Sequence, residues 1–246
     1  MMKKYFIGLL VLIPLITITA VNFKFMSTKL EDATVYAKNK VTSAFQAPDR
    51  EWKNNEVASD KVHLRSVKPD MQLDEILRSK NIDDKGNFSI LIDLDSRTLY
   101  LKYKEEVIKQ YAVSAGKRSK DGKKEKEGDY KTPIGVFYIC QKEVYDPPKT
   151  YLGSRWMMLS YPGLEAAEEG LEKKMISKDD YNKIKESYSD KVMPPQTTKL
   201  GSYIGIHGGA TPDYPRDWTA GCIGMYNQDV EEIYKYVKNG TTVIIR

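Results

Sequence analysis

His207 and Cys222 stand in one segment, Ile206 to Met225, which reads I-H-G-G-A-T-P-D-Y-P-R-D-W-T-A-G-C-I-G-M. They are one of only two His and one of only two Cys in the 246 residues. A thiol has an ordinary pKa of about 8.5 and becomes a strong nucleophile when an imidazole can take its proton. Gly208 and Gly209 follow the His, and Gly221 precedes the Cys. Small residues there let a substrate backbone come close and leave amide N–H groups for an oxyanion. The chemistry these residues suit is acyl transfer through cysteine. A lone Cys is usually apolar filler. Cys222 departs from that pattern because Gly221 precedes it, Trp218-Thr219-Ala220 lead into it and a scarce His is near. Zinc needs three or four ligands. The segment offers His207, Cys222 and at most Asp213 or Asp217, so neither a metal nor a cofactor is expected.

The same residues resemble the L,D-transpeptidases with the YkuD-type catalytic domain. That family carries His-Gly, then a loop, then Ser/Thr-x-Gly-Cys-hydrophobic-Arg/Asn. Here Ile206-His207-Gly208 matches the first part and Thr219-Ala220-Gly221-Cys222-Ile223 the second. Lys131 to Phe137 (K-T-P-I-G-V-F) is similar to the family's T-P-x-G-x-F strand. Ser89 to Tyr103 is similar to its opening hairpin, and Asn239 to Ile245 to its closing G-T-x-V-x-I strand. The one departure is Gly224, where the family has Arg or Asn; Arg216 is a candidate to replace that side chain. The resemblance implies a mostly β fold with α, a β-sandwich-like catalytic core with one helix after the nucleophile. It also implies a substrate, the tetrapeptide stem of peptidoglycan.

Composition frames an exported protein. Lys3 and Lys4 precede an apolar run from Tyr5 to Val21, the pattern of a signal peptide or signal anchor over residues 1–22. With the basic end inside, the rest of the chain lies outside the cytoplasm. Together with the resemblance, this implies the bacterial cell envelope as the site of action, with the inner membrane as a partner. The net charge of +5 suits an anionic envelope polymer. No basic cluster is interleaved with aromatics, so nucleic acid is not an expected partner. Nothing in the sequence calls for a second copy, and a monomer is expected. Cys140 sits in the apolar run Val136 to Cys140 and is expected as a free core thiol, since a bridge would consume Cys222.

Residues 23–86 read as a polar spacer with short helices at Leu30 to Phe45 and Met71 to Ser79; His63 is expected to be an ordinary surface or packing residue. Residues 87–246 read as the catalytic domain. Phe88 to Leu94 and Thr98 to Tyr103 alternate as a hairpin, and Val107 to Ala115 is a third strand. Gly116 to Tyr130 is a charged, solvated loop. A strand from Gly135 to Cys140 follows. Tyr145 to Leu200 is expected as a helical insertion that acts as a lid over Cys222. Trp156 to Tyr161 is a strand within it, and Leu164 to Lys174 and Lys178 to Ser187 are two charged helices. Ser202 to Ile206 delivers His207, Gln228 to Val237 is an amphipathic helix, and Thr241 to Ile245 is the last strand.

In the expected mechanism His207 takes the proton of Cys222, and the thiolate attacks an amide carbonyl to form a thioester. An amine or water then resolves it. Amides near Gly221 and Cys222 serve the oxyanion. A backbone carbonyl near Gly208 is expected to orient His207, with Asp213 as the alternative, and Gly221, Gly208 and Thr219 are the oxyanion-binding or orienting candidates. Tyr203, Arg216 and Trp218 are the substrate-binding candidates. A hydrolase of the same fold, releasing the terminal D-residue, uses the same Cys and His. A non-catalytic envelope-binding module is the alternative of a different class, and intact His207, Gly221 and Cys222 speak against it.

Overall fold

The computed structural model describes residues 71–83 and 86–246. The expected membrane segment, the helix at Leu30 to Phe45 and His63 lie outside the described residues. Strand β1 (Phe88–Asp93) pairs antiparallel with β2 (Thr98–Tyr103), from Phe88↔Tyr103 to Asp93↔Thr98. The period of two puts Ile90, Ile92, Leu99 and Leu101 inside. Between the strands, Asp93 closes the turn by accepting from the Ser96 amide and hydroxyl. Strand β3 (Glu106–Ala112) adds to β2.

On the other side of β1 lies β8 (Thr242–Ile245), parallel to it. Then comes the long β4 (Gly135–Lys149), whose first residues pair with β8 and whose remainder pairs with β5 (Gly153–Leu159). Antiparallel to β5 runs β6 (Gly205–His207), and parallel to β6 runs β7 (Ile223–Gly224). The order is β3-β2-β1-β8-β4-β5-β6-β7. The two ends meet: Ser114, just past β3, exchanges two backbone hydrogen bonds with Gly224, at 2.8 and 3.0 Å. The mixed sheet therefore curls over itself, sandwich-like, and encloses Ile139, Met157, Leu159, Ile206, Ile223 and their neighbours. The fold is mostly β with four described helices.

Helix α1 (Leu73–Ser79) belongs to this body and not to a spacer. Leu73 and Leu77 are buried in the main core. Glu232 explains the attachment. Its carboxylate accepts from Lys109 at 2.8 Å, from the Tyr111 hydroxyl at 2.9 Å and from the Leu73 amide. One buried acid thus joins α1, β3 and α4 (Asn227–Tyr234), the helix that follows the Cys. Burial and the Glu232 charge raise the Tyr111 phenol far above its usual range.

The expected helical insertion from Tyr145 also narrows. Residues up to Leu159 are strands of the sheet, and helices occupy only α2 (Leu164–Glu172) and α3 (Lys178–Asp190). The strand expected to end at Cys140 runs on through Pro147 and Pro148. Strand β4 carries them because β8 pairs only with Gly135 to Tyr138, which leaves the later edge free of a ladder that needs their N–H groups. Helix α3 starts on a capping box between Ser177 and Asp180. The helices form a small core of their own with Ala167, Ile176, Ile184 and Leu200. The charged loop from Gly116 to Tyr130 is mostly exposed, as expected, but it is pinned from within. Asp129 is buried within it, paired with Lys124 at 2.8 Å, and accepts from the amides of Glu125, Lys126 and Lys131.

Removing Glu232 strands Lys109 without a counter-charge. Glu232→Ala is expected to lower the unfolding free energy by about 3–5 kcal/mol, measured by urea denaturation. A loss under about 1 kcal/mol would show that α1 and α4 are held by apolar packing alone.

Candidate active site

The register of β6 and β7 places the two chemical residues. Ile206 pairs with Ile223 and His207 with Gly224, in parallel. Ile206 and Ile223 are both fully buried and point into the core. Side chains alternate, so His207 and Cys222 emerge together on the opposite face. They line one cavity of about 360 Å³.

His207 is fully buried as a residue. Its Nδ1 lies 2.7 Å from the carbonyl oxygen of Gly208. A carbonyl only accepts, so Nδ1 carries the proton and Nε2 presents a lone pair. That Nε2 has no hydrogen-bond partner among the described residues. The imidazole is stacked near Trp156 at 5.9 Å and Tyr151 at 6.4 Å, and meets Trp218 edge-on at 5.5 Å. Burial among these rings lowers its pKa to about 4, against the opposing effect of the Gly208 carbonyl. His207 is neutral at pH 7.

Cys222 is half-buried and its thiol donates to the carbonyl of Tyr203, at 3.5 Å. Burial pushes the thiol up to about 11, while the Gly205 amide and the Lys124 charge pull the other way. The resting pair is thus a neutral thiol and a neutral imidazole. Desolvation disfavours both charged forms, and the thiolate forms only as its proton leaves.

The turn before Cys222 is held by Thr219. Its hydroxyl donates to the Cys222 carbonyl at 2.7 Å and accepts from the Gly221 amide at 3.1 Å. Gly221 has φ 135°, and a Cβ there would lie 2.8 Å from the Lys131 carbonyl, so only glycine fits. One expectation changes here. The Gly221 amide is occupied by Thr219 and is not available to an oxyanion. The Cys222 amide is the next donor along this turn. Behind the loop, Asp217 takes two bonds from Arg97, at 2.7 and 2.6 Å, and one from the Ala115 amide at 3.2 Å. Arg97 and its hydrogen bonds hold the Asp217 carboxyl below its usual range against its burial.

The substrate-binding candidates separate. Tyr203 is exposed, lines the cavity and supplies the carbonyl that holds the thiol. Arg216 does not line the cavity. Its guanidinium donates to the Asp95 carbonyl at 3.3 Å, in the β1–β2 turn. Trp218 is buried behind the imidazole, against Tyr151 and Tyr214. Its place explains Gly224: a Cβ at position 224 would lie 2.7 Å from the indole. The indole fills the space that a longer side chain at 224 needs. Asp213 is exposed and plays no part in orienting His207.

Other residues complete the site. Asn227 at the start of α4 accepts through Oδ1 from the amides of Gly209 and Ser154, both at 3.0 Å. It ties the His-Gly-Gly turn to the β4–β5 hairpin. Gln141, Glu143 and Tyr145 line the cavity from β4. Their spacing of two puts them on one face once β4 extends past Cys140. Tyr151, Leu152 and Trp156 line it from the hairpin turn and β5. No residue of α2 or α3 does, so the part of the expected lid that reaches Cys222 is the hairpin. Cys140 is free and half-buried; its thiol, pushed up to about 11 by burial, donates to the Met158 carbonyl at 3.6 Å. Among the described residues no group of three or more His, Cys, Asp or Glu could hold a metal ion. No described helix is long and apolar enough to cross a membrane.

The family model for the L,D-transpeptidase catalytic domain (YkuD) matches residues 87–245. No curated protein matches the sequence. Several solved structures are similar. Bd1075 of Bdellovibrio bacteriovorus is 20% identical, with a TM-score of 0.45, over 65% of this chain and 48% of that one. The helical cell shape determining protein Pgp2 of Campylobacter jejuni is 20% identical, with a TM-score of 0.44, over 71% and 55%. An L,D-transpeptidase of Enterococcus faecium is 17% identical, with a TM-score of 0.39, over 65% and 50%. The chain spans about half the length of these solved chains.

Two outcomes are expected. His207 binds a proton near pH 4 when folded and near 6.5 when unfolded. Between these values the unfolded chain holds more protons, so the contribution to stability is intact above about 6.5 and declines as pH falls toward 4. The loss is about 3 kcal/mol over that window, and His207→Gln removes it. Parallel pH profiles of unfolding for parent and variant would show that the buried ring charges without cost. Separately, Gly224→Ala is expected to cost about 1–3 kcal/mol by overpacking, and clearly less when Trp218→Ala is present. Equal costs in both backgrounds, by thermal or urea unfolding, would mean the indole is not the obstacle.

Proposed function

Since the chain belongs to the L,D-transpeptidase (YkuD) family, we propose that it is a cysteine acyltransferase acting on the stem peptides of peptidoglycan. The carrying observation is one pair of groups on one face: Cys222, and a neutral His207 whose Nδ1–H is committed to Gly208 while Nε2 is free.

The reaction follows from that arrangement. The Cys222 side chain turns from the Tyr203 carbonyl toward Nε2 and gives up its proton. Sγ attacks the carbonyl of the L-centre that precedes the terminal D-residue. The Cys222 amide donates to the oxyanion. As the C–N bond breaks, the imidazolium returns its proton to the departing amine, leaving a thioester on Cys222. The amine of a second stem then attacks the thioester, His207 takes its proton, and the sulfur leaves and is reprotonated. A low imidazole pKa suits the second half of each step, because a buried imidazolium gives up its proton readily. Tyr203 flanks the peptide. No metal or cofactor takes part. The product is a cross-link or an anchored chain in the cell wall.

In this reading residues 1–22 serve as a signal peptide or as an anchor in the inner membrane. The enzyme works as a monomer in the cell envelope, outside the cytoplasm.

The test is mass spectrometry of the full chain incubated with stem tetrapeptides. Cross-linked dimers are expected, and Cys222→Ala is expected to lower the rate on the order of a thousandfold or more while keeping the thermal transition. Trimmed tripeptide alone would make water the acceptor and the protein a hydrolase. Undiminished turnover by Cys222→Ala would remove the cysteine from the mechanism. No product at all from the parent chain would leave a binding module.

A further inference from the structure

The cavity shared by His207 and Cys222 extends to β4, and that wall has its own chemistry. Glu143 pairs with Trp156, and Trp156 pairs with His207. The three stand in one row across three strands, on the face that carries the site. At strand spacings of about 4.8 Å, the Glu143 backbone lies roughly 10 Å from that of His207. Glu143 is the one carboxylate in the cavity lining, which contains no Lys or Arg. That is notable in a chain with 39 Lys and Arg.

The carboxylate is fixed in place. Oε1 accepts from Gln141 Nε2 at 2.7 Å, and Oε2 accepts from the Tyr145 hydroxyl at 2.7 Å. Both partners are neutral, so they orient the charge without cancelling it. The rings of Tyr145, Tyr151, Trp156 and Tyr203 line the same cavity. A carboxylate beside aromatic faces is the arrangement that binds an organic ammonium. The wall already displays one such contact, with Lys149 Nζ 3.7 Å from the centroid of the Tyr145 ring.

We propose that Glu143 is a specificity-determining residue that receives a primary ammonium group on the peptide substrate. It rests on the peptide reading given above. With the scissile carbonyl at Cys222, the row to Glu143 is a distance that a long amine-bearing side chain spans. The substrates favoured are then stem peptides with a free side-chain amine close to the bond that is cut.

Two synthetic stem peptides test this with the full chain. In one, the residue before the scissile bond carries a free side-chain amine; in the other, that amine is acetylated. Acylation of Cys222, followed by intact-mass spectrometry, needs no acceptor and reads the donor step alone. The parent chain is expected to prefer the free amine in kcat/KM by about tenfold. The preference should appear mainly in KM. Glu143→Gln, which keeps an acceptor for Gln141 but loses the charge, should bring the ratio near one, and Glu143→Asp should restore part of it. Equal acylation of the parent by both peptides, or an unchanged preference in Glu143→Gln, would overturn the proposal and leave the acyltransferase standing. Acylation by neither peptide would overturn the acyltransferase. Calorimetric binding of the two peptides to the parent and Glu143→Gln chains then decides the ammonium site separately, with a charge-dependent preference supporting it and no preference ending it.

Discussion

The parallel pairing of β6 with β7 is the contact on which the site depends. It is short, two residue pairs, yet it sets which faces meet. Ile206 and Ile223 turn inward together, and that burial locks the register, because a slip of one residue would expose both to the cavity side. His207 and Cys222 are carried to the same surface as a consequence. The remaining parts of the fold hold these two strands still. Gly224 is bonded from the other side by Ser114, and Asn227 ties the turn after His207 to the β4–β5 hairpin.

Burial decides the state of the reacting groups. Aromatic rings on three sides of His207 and the half-buried setting of Cys222 both oppose charge. A resting ion pair would have to overcome two desolvation costs at once. Neutral partners avoid that, and the carbonyl of Gly208 keeps the ring in the tautomer that can accept. The thiol is held on Tyr203 until it turns. The charge on Lys124 acts in favour of the thiolate, and Lys124 itself is secured by Asp129 inside a loop rich in lysine. Polar groups far from the cavity have a similar holding role: Arg97 with Asp217 steadies the approach to Thr219, and Glu232 binds three elements through one carboxylate.

Gly224 shows how a local departure from a family pattern finds its reason in packing. The position is closed by the Trp218 indole, and Trp218 is in turn one wall of the imidazole pocket. Arg216, the nearest basic residue in sequence to stand in for the missing side chain, instead satisfies a carbonyl in the β1–β2 turn. No Lys or Arg lines the cavity, and its β4 side is acidic and aromatic.

Much of this was legible in the linear chain. The Gly-Cys turn and its nearby His identified the chemical pair, because only a few residue types can do acyl transfer and they were scarce. Alternation revealed β1 and β2, and the 3.6-residue period revealed α4, since each of those elements has one face in the core. What stayed hidden depended on partners distant in sequence. The helix Leu73–Ser79 reads as spacer until Glu232, far along the chain, draws it onto the body. Strand β4 reads as ending near Cys140 because the β-branched and aromatic run stops there, and its continuation to Lys149 rests on pairing with β5. The cavity wall at Gln141, Glu143 and Tyr145, the occupied amide of Gly221 and the indole over Gly224 all follow from strand register. Residue type and local period determine which chemistry and which elements the chain can have. Which side chains share a face across neighbouring strands is decided only when those strands pair, since pairing is a property of two segments and is written in neither alone.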